Sequence, residues 1–453
     1  MKKKILSLLF IGLFLALCLI PSLGLLLGHG SGAAANQKLA AEPKLTGRGG
    51  GFNTQYPEQL GSYLNDRFAL RQEAVTLWSR LNASLLGSSV TDQVVPGRDG
   101  WLYFAPTLPD FTRTQRMTAR ELWCAARRLY LLQEYAEAQG GQFLYLTAPN
   151  KNSLYPDRMP ALPRAEGPSN AEALAPLLEE MGVCSVDLFA LFRAETEELY
   201  FPRDSHWNGR GAALAADAML AALGRDSAYY DADFTAGSHR GDLYEMLYPT
   251  GTALDPDLVY APGFRFTASS DDPDKFRIDT VCETGEGELL MYRDSFGRAL
   301  YPYLAEAFAE AHFSRSNSYD ASAMAPGGTL VIELVERNLR YLIDYEPVLP
   351  AAKRDADLIS GAVPAAGAAE LRLAKGGPEG DTVLRGDLGG IVPEDDSPVF
   401  VETAQGLYEA LPGPEGFSLC LPEAAPDGPI RVFFRSEGRL LSLEGSLKEQ
   451  TGG

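Results

Sequence analysis

From Thr118 onward, short apolar runs of strand length alternate with segments of helical periodicity, and this alternation limits the fold more than any other feature. RELWCAARRLYLLQEYAEAQ is helical, QFLYLTAPN reads as a buried strand, AEALAPLLEEMG is helical and VCSVDL is a strand. The series resumes with the helix AALAADAMLAAL, the strand GELLMYRD, the helix GRALYPYLAEAFAEA and the strand TLVIELVERN. Strands separated by helices pair through crossovers rather than hairpins. They therefore predict βαβ units, a mostly parallel sheet and helices on both of its faces. Residues 88–345 are read as one α/β domain on this basis.

The flanking segments have a different texture. MKKKILSLLFIGLFLALCLIPSLGLLLG places three lysines before an almost uncharged apolar run over 5–28. That run is long enough to cross a bilayer, and the lysines favour a cytoplasmic N-terminus. Residues 1–30 are read as an uncleaved signal anchor. Ala33, Ala34 and Ala35 offer the alternative of a cleavage site and a secreted product. Residues 31–87 hold a Gly-rich linker, GRGGG, and one or two amphipathic helices over 54–86. VVPGRDGWLYF then reads as a hairpin turning at 97–100. Past Pro347 the composition becomes Pro/Ala/Gly-rich, so 346–365 is read as a linker. Short alternating runs such as PVFVETAQ and IRVFFRSEGRLLSLEG follow, and 366–453 is read as a small all-β module with a frayed tail from Lys448.

The formal net charge of −20 argues against a nucleic-acid surface, which needs clustered Lys and Arg. Of five cysteines, Cys18 lies in the apolar run, and Cys124, Cys184, Cys282 and Cys420 are scattered without metal-ligand spacing. They read as small buried residues.

The chemistry is concentrated in two short stretches. YFPRDSHWNGRGA contains Asp204 and His206, in a chain with only four histidines. In a D-x-H pair the aspartate can accept the Nδ1 proton and leave Nε2 free as a base. Asn208 suits the N-cap of the next helix, whose N-terminal dipole would work against a positive charge on the imidazole. The nucleophile for this base is sought in GELLMYRDSFGRALYPYL, where Ser295 falls between a buried strand and a helix. Such a junction exposes a side chain at the carboxyl edge of a parallel sheet, and it aims the N–H groups of Ser295, Phe296 and Gly297 at a nascent oxyanion. Each element also has an ordinary role. Asp294 or Ser295 can cap the helix, His206 can be structural, and Trp207 can belong to the core.

The conjunction resembles the DHHW and AlgX/AlgJ-like O-acetyltransferase family of the SGNH hydrolase-like superfamily. NQKLAAEP, YLNDRFALR, VVPGRDGWLYF, LTAPNKNSLYPDRMP, DSHWNGRGA, YRDSFGRAL and VIELVERNL carry this resemblance, which covers roughly 37–345. It implies an SGNH hydrolase-like α/β domain with Asp204, His206 and Ser295 as the catalytic triad. Ser205 stands where the family signature often has histidine, and Arg293 stands where many members have glycine. Asn150, Lys151, Trp207, Arg298 and Tyr303 are weaker candidates for contacts to substrate or oxyanion. Tyr301 joins them as a support for a sugar ring.

The expected function is an extracytoplasmic O-acetyltransferase that moves acetyl groups onto a cell-surface or secreted polysaccharide through an acetyl-serine. Because cytoplasmic acetyl-CoA cannot reach such a domain, the resemblance implies a membrane-bound O-acyltransferase as the donor partner. No metal or organic cofactor is expected. Metallophosphoesterases also use D-x-H, but they need several further histidines, and only His29, His239 and His312 remain here. Two other readings stay open: a carbohydrate acetyl esterase, and a non-catalytic membrane-tethered protein that binds or assembles polysaccharide.

Overall fold

The computed structural model describes residues 2–32, 39–47, 50–86, 89–375, 382–421 and 428–448. The Ala33–Ala35 cleavage site, part of the GRGGG segment and the tail beyond Lys448 lie outside the described residues.

The apolar N-terminal run is one helix, Lys2–Leu26, and it is long and apolar enough to cross a membrane. Two helices follow, Tyr56–Arg67 and Arg71–Leu86. The hairpin at 97–100 joins Val94–Pro96 to Leu102–Phe104, paired antiparallel.

The central sheet has seven strands in the order Ser185–Val186, Gln142–Ala148, Thr329–Val335, Glu288–Tyr292, Glu310–Ser314, Arg277–Val281 and Thr267–Ala268. The first five are mutually parallel, and the last two form an antiparallel edge. Every residue of the central strand Thr329–Val335 is buried, because its alternate side chains enter two cores. Val331 and Val335 pack with the helices Leu188–Ala194, Gly209–Ala222 and Gly297–Ala307. Leu330, Ile332 and Leu334 pack with Ala119–Ala138 and Asn170–Met181. The fold is thus the α/β class expected from the alternation, with helices covering both faces.

The C-terminal module is all-β, and it closes on itself. Seven strands pair in the ring order Gly406–Pro412, Val399–Thr403, Arg431–Ser436, Arg439–Leu447, Val363–Lys375, Thr382–Asp387 and Gly416–Leu421, and the last returns to the first. Closure removes the exposed edges that a small sheet would otherwise present.

The segment 346–365, expected to be a linker, is structured. Ala352–Arg354 adds a strand beside Gly406–Pro412, and Val363 already belongs to the barrel. Arg354 fixes this segment by pairing with Glu134 of the helix Ala119–Ala138 (2.5 Å) and with Glu409 of the barrel (2.8 Å). Arg127 joins Glu409 from the same helix (2.6 Å), and buried Arg128 donates to the carbonyls of Leu342, Ile343 and Pro412. Composition hid this because the contacts are ionic and long-range. Among the described cysteines none forms a disulfide, and Cys124, Cys282 and Cys420 are buried.

Candidate active site

Three residues from two loops meet at the carboxyl edge of the sheet. The strand Glu288–Tyr292 ends in the sharp turn Arg293-Asp294-Ser295-Phe296, and the helix Gly297–Ala307 follows at once. Asp294 organises this turn. Its Oδ1 accepts from the Phe296 N–H (2.9 Å), and its Oδ2 accepts from the Val335 N–H (2.8 Å) and Asn338 Nδ2 (3.2 Å). The N-cap position of the helix is Phe296, without a side-chain cap, so Asp294 closes the turn ahead of the helix and the Ser295 hydroxyl is not engaged as a cap. Arg293, in the place where glycine is frequent, is buried and donates to the Pro273 carbonyl (2.7 Å). Its stem lies against Gly297, where a Cβ would come 2.5 Å from Arg293 Cβ, so a glycine is required there instead.

The partner loop carries Asp204 and His206, just before the helix Gly209–Ala222, which Asn208 caps by accepting from the N–H groups of Arg210 and Gly211. His206 Nε2 lies 2.9 Å from Ser295 Oγ, and His206 Nδ1 lies 2.7 Å from Asp204 Oδ1. A donor at Nδ1 leaves Nε2 as an acceptor for the hydroxyl proton, which is the arrangement of a nucleophile, base and orienting acid. Asp204 is buried and accepts four hydrogen bonds: the His206 ring and His206 N–H on Oδ1, and His239 Nε2 and the Asp242 N–H on Oδ2. Burial alone would push its carboxyl up. The bonds and charges of His206 and His239 outweigh burial and hold it well below the usual carboxylate range.

The three N–H groups expected to meet an oxyanion are not equivalent. The Phe296 N–H is spent on Asp294, whereas those of Ser295 and Gly297 have no acceptor among the described residues. Donor atoms of Asp204, His206 and Asp242 also lie within 4.8 Å of one another. These atoms are already used in a proton network, since Ser205 Oγ donates to Asp242 Oδ2 (2.7 Å) and the His206 ring bonds Asp204.

Four of the weaker site candidates, Trp207, Tyr303, Asn150 and Lys151, are buried, whereas Tyr301 is half-buried and Arg298 is exposed. Trp207 is 1% exposed, packed edge-on to Phe296 (4.9 Å) and against Tyr200 and Phe192, so it is core and offers no face to a sugar. Tyr303 is 4% exposed, with its hydroxyl donating to the Gly209 carbonyl (3.2 Å). Tyr301 packs edge-on to Phe266 and Phe313. Asn150 is fully buried, with its N–H on Glu336 (2.9 Å) and Nδ2 on Asp110 (3.3 Å). Lys151 is buried too, and its ammonium donates to the carbonyls of Phe201 (3.0 Å), Pro202 (3.0 Å) and Asp204 (2.5 Å). Burial pushes this amine down to about 7, against the attraction of Asp204, Asp242 and Asp255. Lys151 thus supports the Asp204 loop from beneath rather than touching substrate. Arg298 alone of these is solvent-exposed, 3.3 Å from Asp274.

Sequence reasoning missed His239, Asp242 and Glu333. Glu333 is fully buried under the serine turn and accepts from the Asp294 N–H (3.0 Å). Burial and the neighbouring Asp294 charge push its carboxyl well up. A glutamate inside the apolar run TLVIELV was the available signal.

Comparison with known proteins agrees with the motifs. Residues 94–274 match the family described as SGNH hydrolase-like domain, acetyltransferase AlgX, a stretch that holds Asp204 and His206 and stops short of Ser295. No curated protein matches. Similar solved structures include the O-acetyltransferase domain of Pseudomonas putida AlgJ, at 17% identity and TM-score 0.36 over 55% of this chain and 92% of that one. Bacillus cereus PatB1 aligns at 16% and 0.43 over 55% and 98%, and Pseudomonas aeruginosa AlgX at 16% and 0.35 over 78% and 89%. The resemblance read from the motifs holds where the family comparison reaches: residues 94–274 are similar to the SGNH hydrolase-like domain of acetyltransferase AlgX.

Proposed function

We propose that this chain is an extracytoplasmic O-acetyltransferase acting on a cell-surface or secreted polysaccharide, with Ser295, His206 and Asp204 as its catalytic triad. The observation that carries the reading is the continuous line from Ser295 Oγ through His206 (2.9 Å) to Asp204 (2.7 Å). In the first half-reaction Ser295 Oγ attacks the carbonyl carbon of an acetyl ester or thioester donor while its proton passes to His206 Nε2. The Ser295 and Gly297 N–H groups are the donors at hand for the oxyanion. Collapse expels the donor's oxygen or sulfur, which takes the proton from His206. In the second half a sugar hydroxyl attacks the acetyl-serine, His206 removes its proton, and collapse returns that proton to Ser295 Oγ. Protein groups suffice for each step.

The helix Lys2–Leu26 supports a membrane-anchored placement with the catalytic body outside. On that topology the acetyl group comes through a membrane-bound O-acyltransferase. The deciding experiment supplies a labelled acetyl donor with and without cell-surface glycan fragments and identifies products by mass. Acetyl recovered on sugar, lost in Ser295→Ala and in His206→Ala with the fold intact, is the expected result. Acetate as the sole product across acceptors makes the protein an esterase, and native turnover by Ser295→Ala refutes the triad.

A further inference from the structure

His239 ends the strand Phe234–His239, whose hairpin partner Asp255–Tyr260 lies outside the seven-stranded sheet. Its Nε2 stands 2.7 Å from Asp204 Oδ2, the same distance that separates His206 Nδ1 from Oδ1. One carboxylate therefore holds two imidazoles, one on each oxygen. The His239 ring is stacked on Phe201 with centroids 4.2 Å apart, so the loop that carries Asp204 also fixes the second ring. The following Gly241 keeps the approach close: a Cβ there would lie 2.2 Å from the Arg203 carbonyl oxygen.

We propose that His239 is a positioning residue of the active site, holding Asp204 through Oδ2, and that a proton taken up by His239 weakens the support Asp204 gives to His206. The inference rests on the reading of Asp204, His206 and Ser295 as one catalytic unit.

The argument is electrostatic. Asp204 stabilises the positive charge that His206 acquires in each half-reaction. A neutral His239 donates from Nε2 and orients the carboxylate without altering that charge. A protonated His239 places a second positive ring on the other oxygen, so two cations share one anion and His206 becomes harder to protonate. The charged groups facing His239 come from four segments. Asp204 is bonded to it, and Asp242 donates its N–H to the same carboxylate. Asp255 sits opposite His239 in the hairpin register and is neutralised by Arg203 at 2.6 Å. Asp257 attracts a proton to His239, and Arg298 of the helix Gly297–Ala307 opposes it. Burial disfavours a charged ring, but Asp204 and then Asp257 outweigh it, so His239 takes its proton more readily than an ordinary histidine.

Two variants separate the parts. His239→Phe keeps a ring on Phe201 and removes the donor. His239→Gln restores a donor without a titratable charge. In the full-length protein, His239→Phe is expected to lower the kcat/KM plateau about tenfold, and His239→Gln to recover most of it. His239→Gln is also expected to move the acid limb of the pH profile upward by about 0.5–1.5 units, the size of one nearby charge in a protein interior. Because the chain has four histidines, their ring C–H signals can be assigned by substitution, and the His206 titration can be followed by NMR without turnover. An upward move of its midpoint in His239→Gln, repeated in the Ser295→Ala background, supports the coupling even if acetyl transfer is never detected. An unmoved midpoint and acid limb overturn the charge linkage, and an unchanged plateau in a folded His239→Phe protein overturns the positioning role.

Discussion

Replacing Lys151 by methionine separates the energy that holds the fold from the geometry that serves the site. The ammonium lies under the loop 201–204 and donates to the carbonyls of Phe201, Pro202 and Asp204. Two terms of similar size oppose each other. Burial draws the amine from 10.5 to about 7, and 3.5 units at about 1.4 kcal/mol each mean that keeping it charged at neutral pH costs about 5 kcal/mol. Methionine, of similar length, relieves that cost. Against this, the Phe201 and Asp204 carbonyls lose their donor, whereas Pro202 keeps the Leu102 N–H (2.9 Å). Two orphaned buried carbonyls cost about 2–6 kcal/mol together. The net change in stability is therefore within about 3 kcal/mol of zero.

Activity is expected to respond quite differently. With its three anchors gone, the loop carrying Asp204 and His206 relaxes, and a shift of about 1 Å at the base lowers kcat/KM on the order of 100-fold. The assay pairs acetyl-transfer kinetics with urea unfolding on the same protein. A second signature is pH. A lysine whose folded pKa lies below its unfolded value carries its full penalty below about pH 7, and loses it as pH rises toward 10.5, because there the unfolded chain binds the proton that the folded one lacks. Native stability relative to Lys151→Met should accordingly rise across that window. A Lys151→Met protein with native kcat/KM would refute the claim that the ammonium holds the loop, and a stability difference that falls with pH would refute the burial argument.

Other outcomes follow from single contacts. Trp207→Ala should cost about 3–5 kcal/mol by calorimetry, because it empties a pocket walled by Tyr200, Phe192 and Phe296, whereas Trp207→Phe should cost less than about 2, since the indole Nε1 has no partner to lose. Native stability in Trp207→Ala would return the residue to the list of exposed sugar platforms. Glu409→Ala should cost about 3–5 kcal/mol and split thermal unfolding into two transitions, because it takes the buried carboxylate from Arg127 and leaves Arg354 paired with Glu134 alone, so that no ion pair of this cluster reaches the barrel. A single unshifted transition would show that these ion pairs do not dock the module. Protease added to intact spheroplasts should digest the body, and full protection would place it in the cytoplasm.

The parts of this architecture that could be read in the sequence are those whose cause is local. Gln142–Ala148 and Thr329–Val335 are predominantly apolar, Glu333 being the one charge in either, because their side chains are buried on both faces, and that texture marks a parallel sheet in any α/β chain. The D-x-H spacing is local as well: it lets the ring and the N–H of His206 reach the same Asp204 oxygen. The supporting role of Lys151, singled out from the sequence only as a substrate contact, and the part of His239 were out of reach for the opposite reason. A lysine in NKNS has the composition of a surface loop, and only the fold brings residues 201–204 over it. The strand bearing His239 has no fully buried residue and lacks alternating hydrophobicity. Barrel closure is equally non-local, since Val363 pairs in parallel with Leu441 across most of the module.

This division has a functional consequence. Ser295 is fixed by the sheet, through Asp294 and the Val335 N–H on the neighbouring strand. Asp204 and His206 belong to a loop that owes its position to Lys151 from below and to His239 and Asp242 from the side. The 2.9 Å contact between serine and histidine is therefore made between two separately supported bodies. The serine side is held by two carboxyls that accept from backbone N–H groups, Asp294 Oδ2 from Val335 and Glu333 from Asp294. The histidine side is held by a buried amine and a second imidazole, both of which gain or lose protons as pH changes. Changes in pH should consequently reach the base and its aspartate through Lys151 and His239, and the serine turn through Glu333, whose carboxyl is held well up by burial and the Asp294 charge.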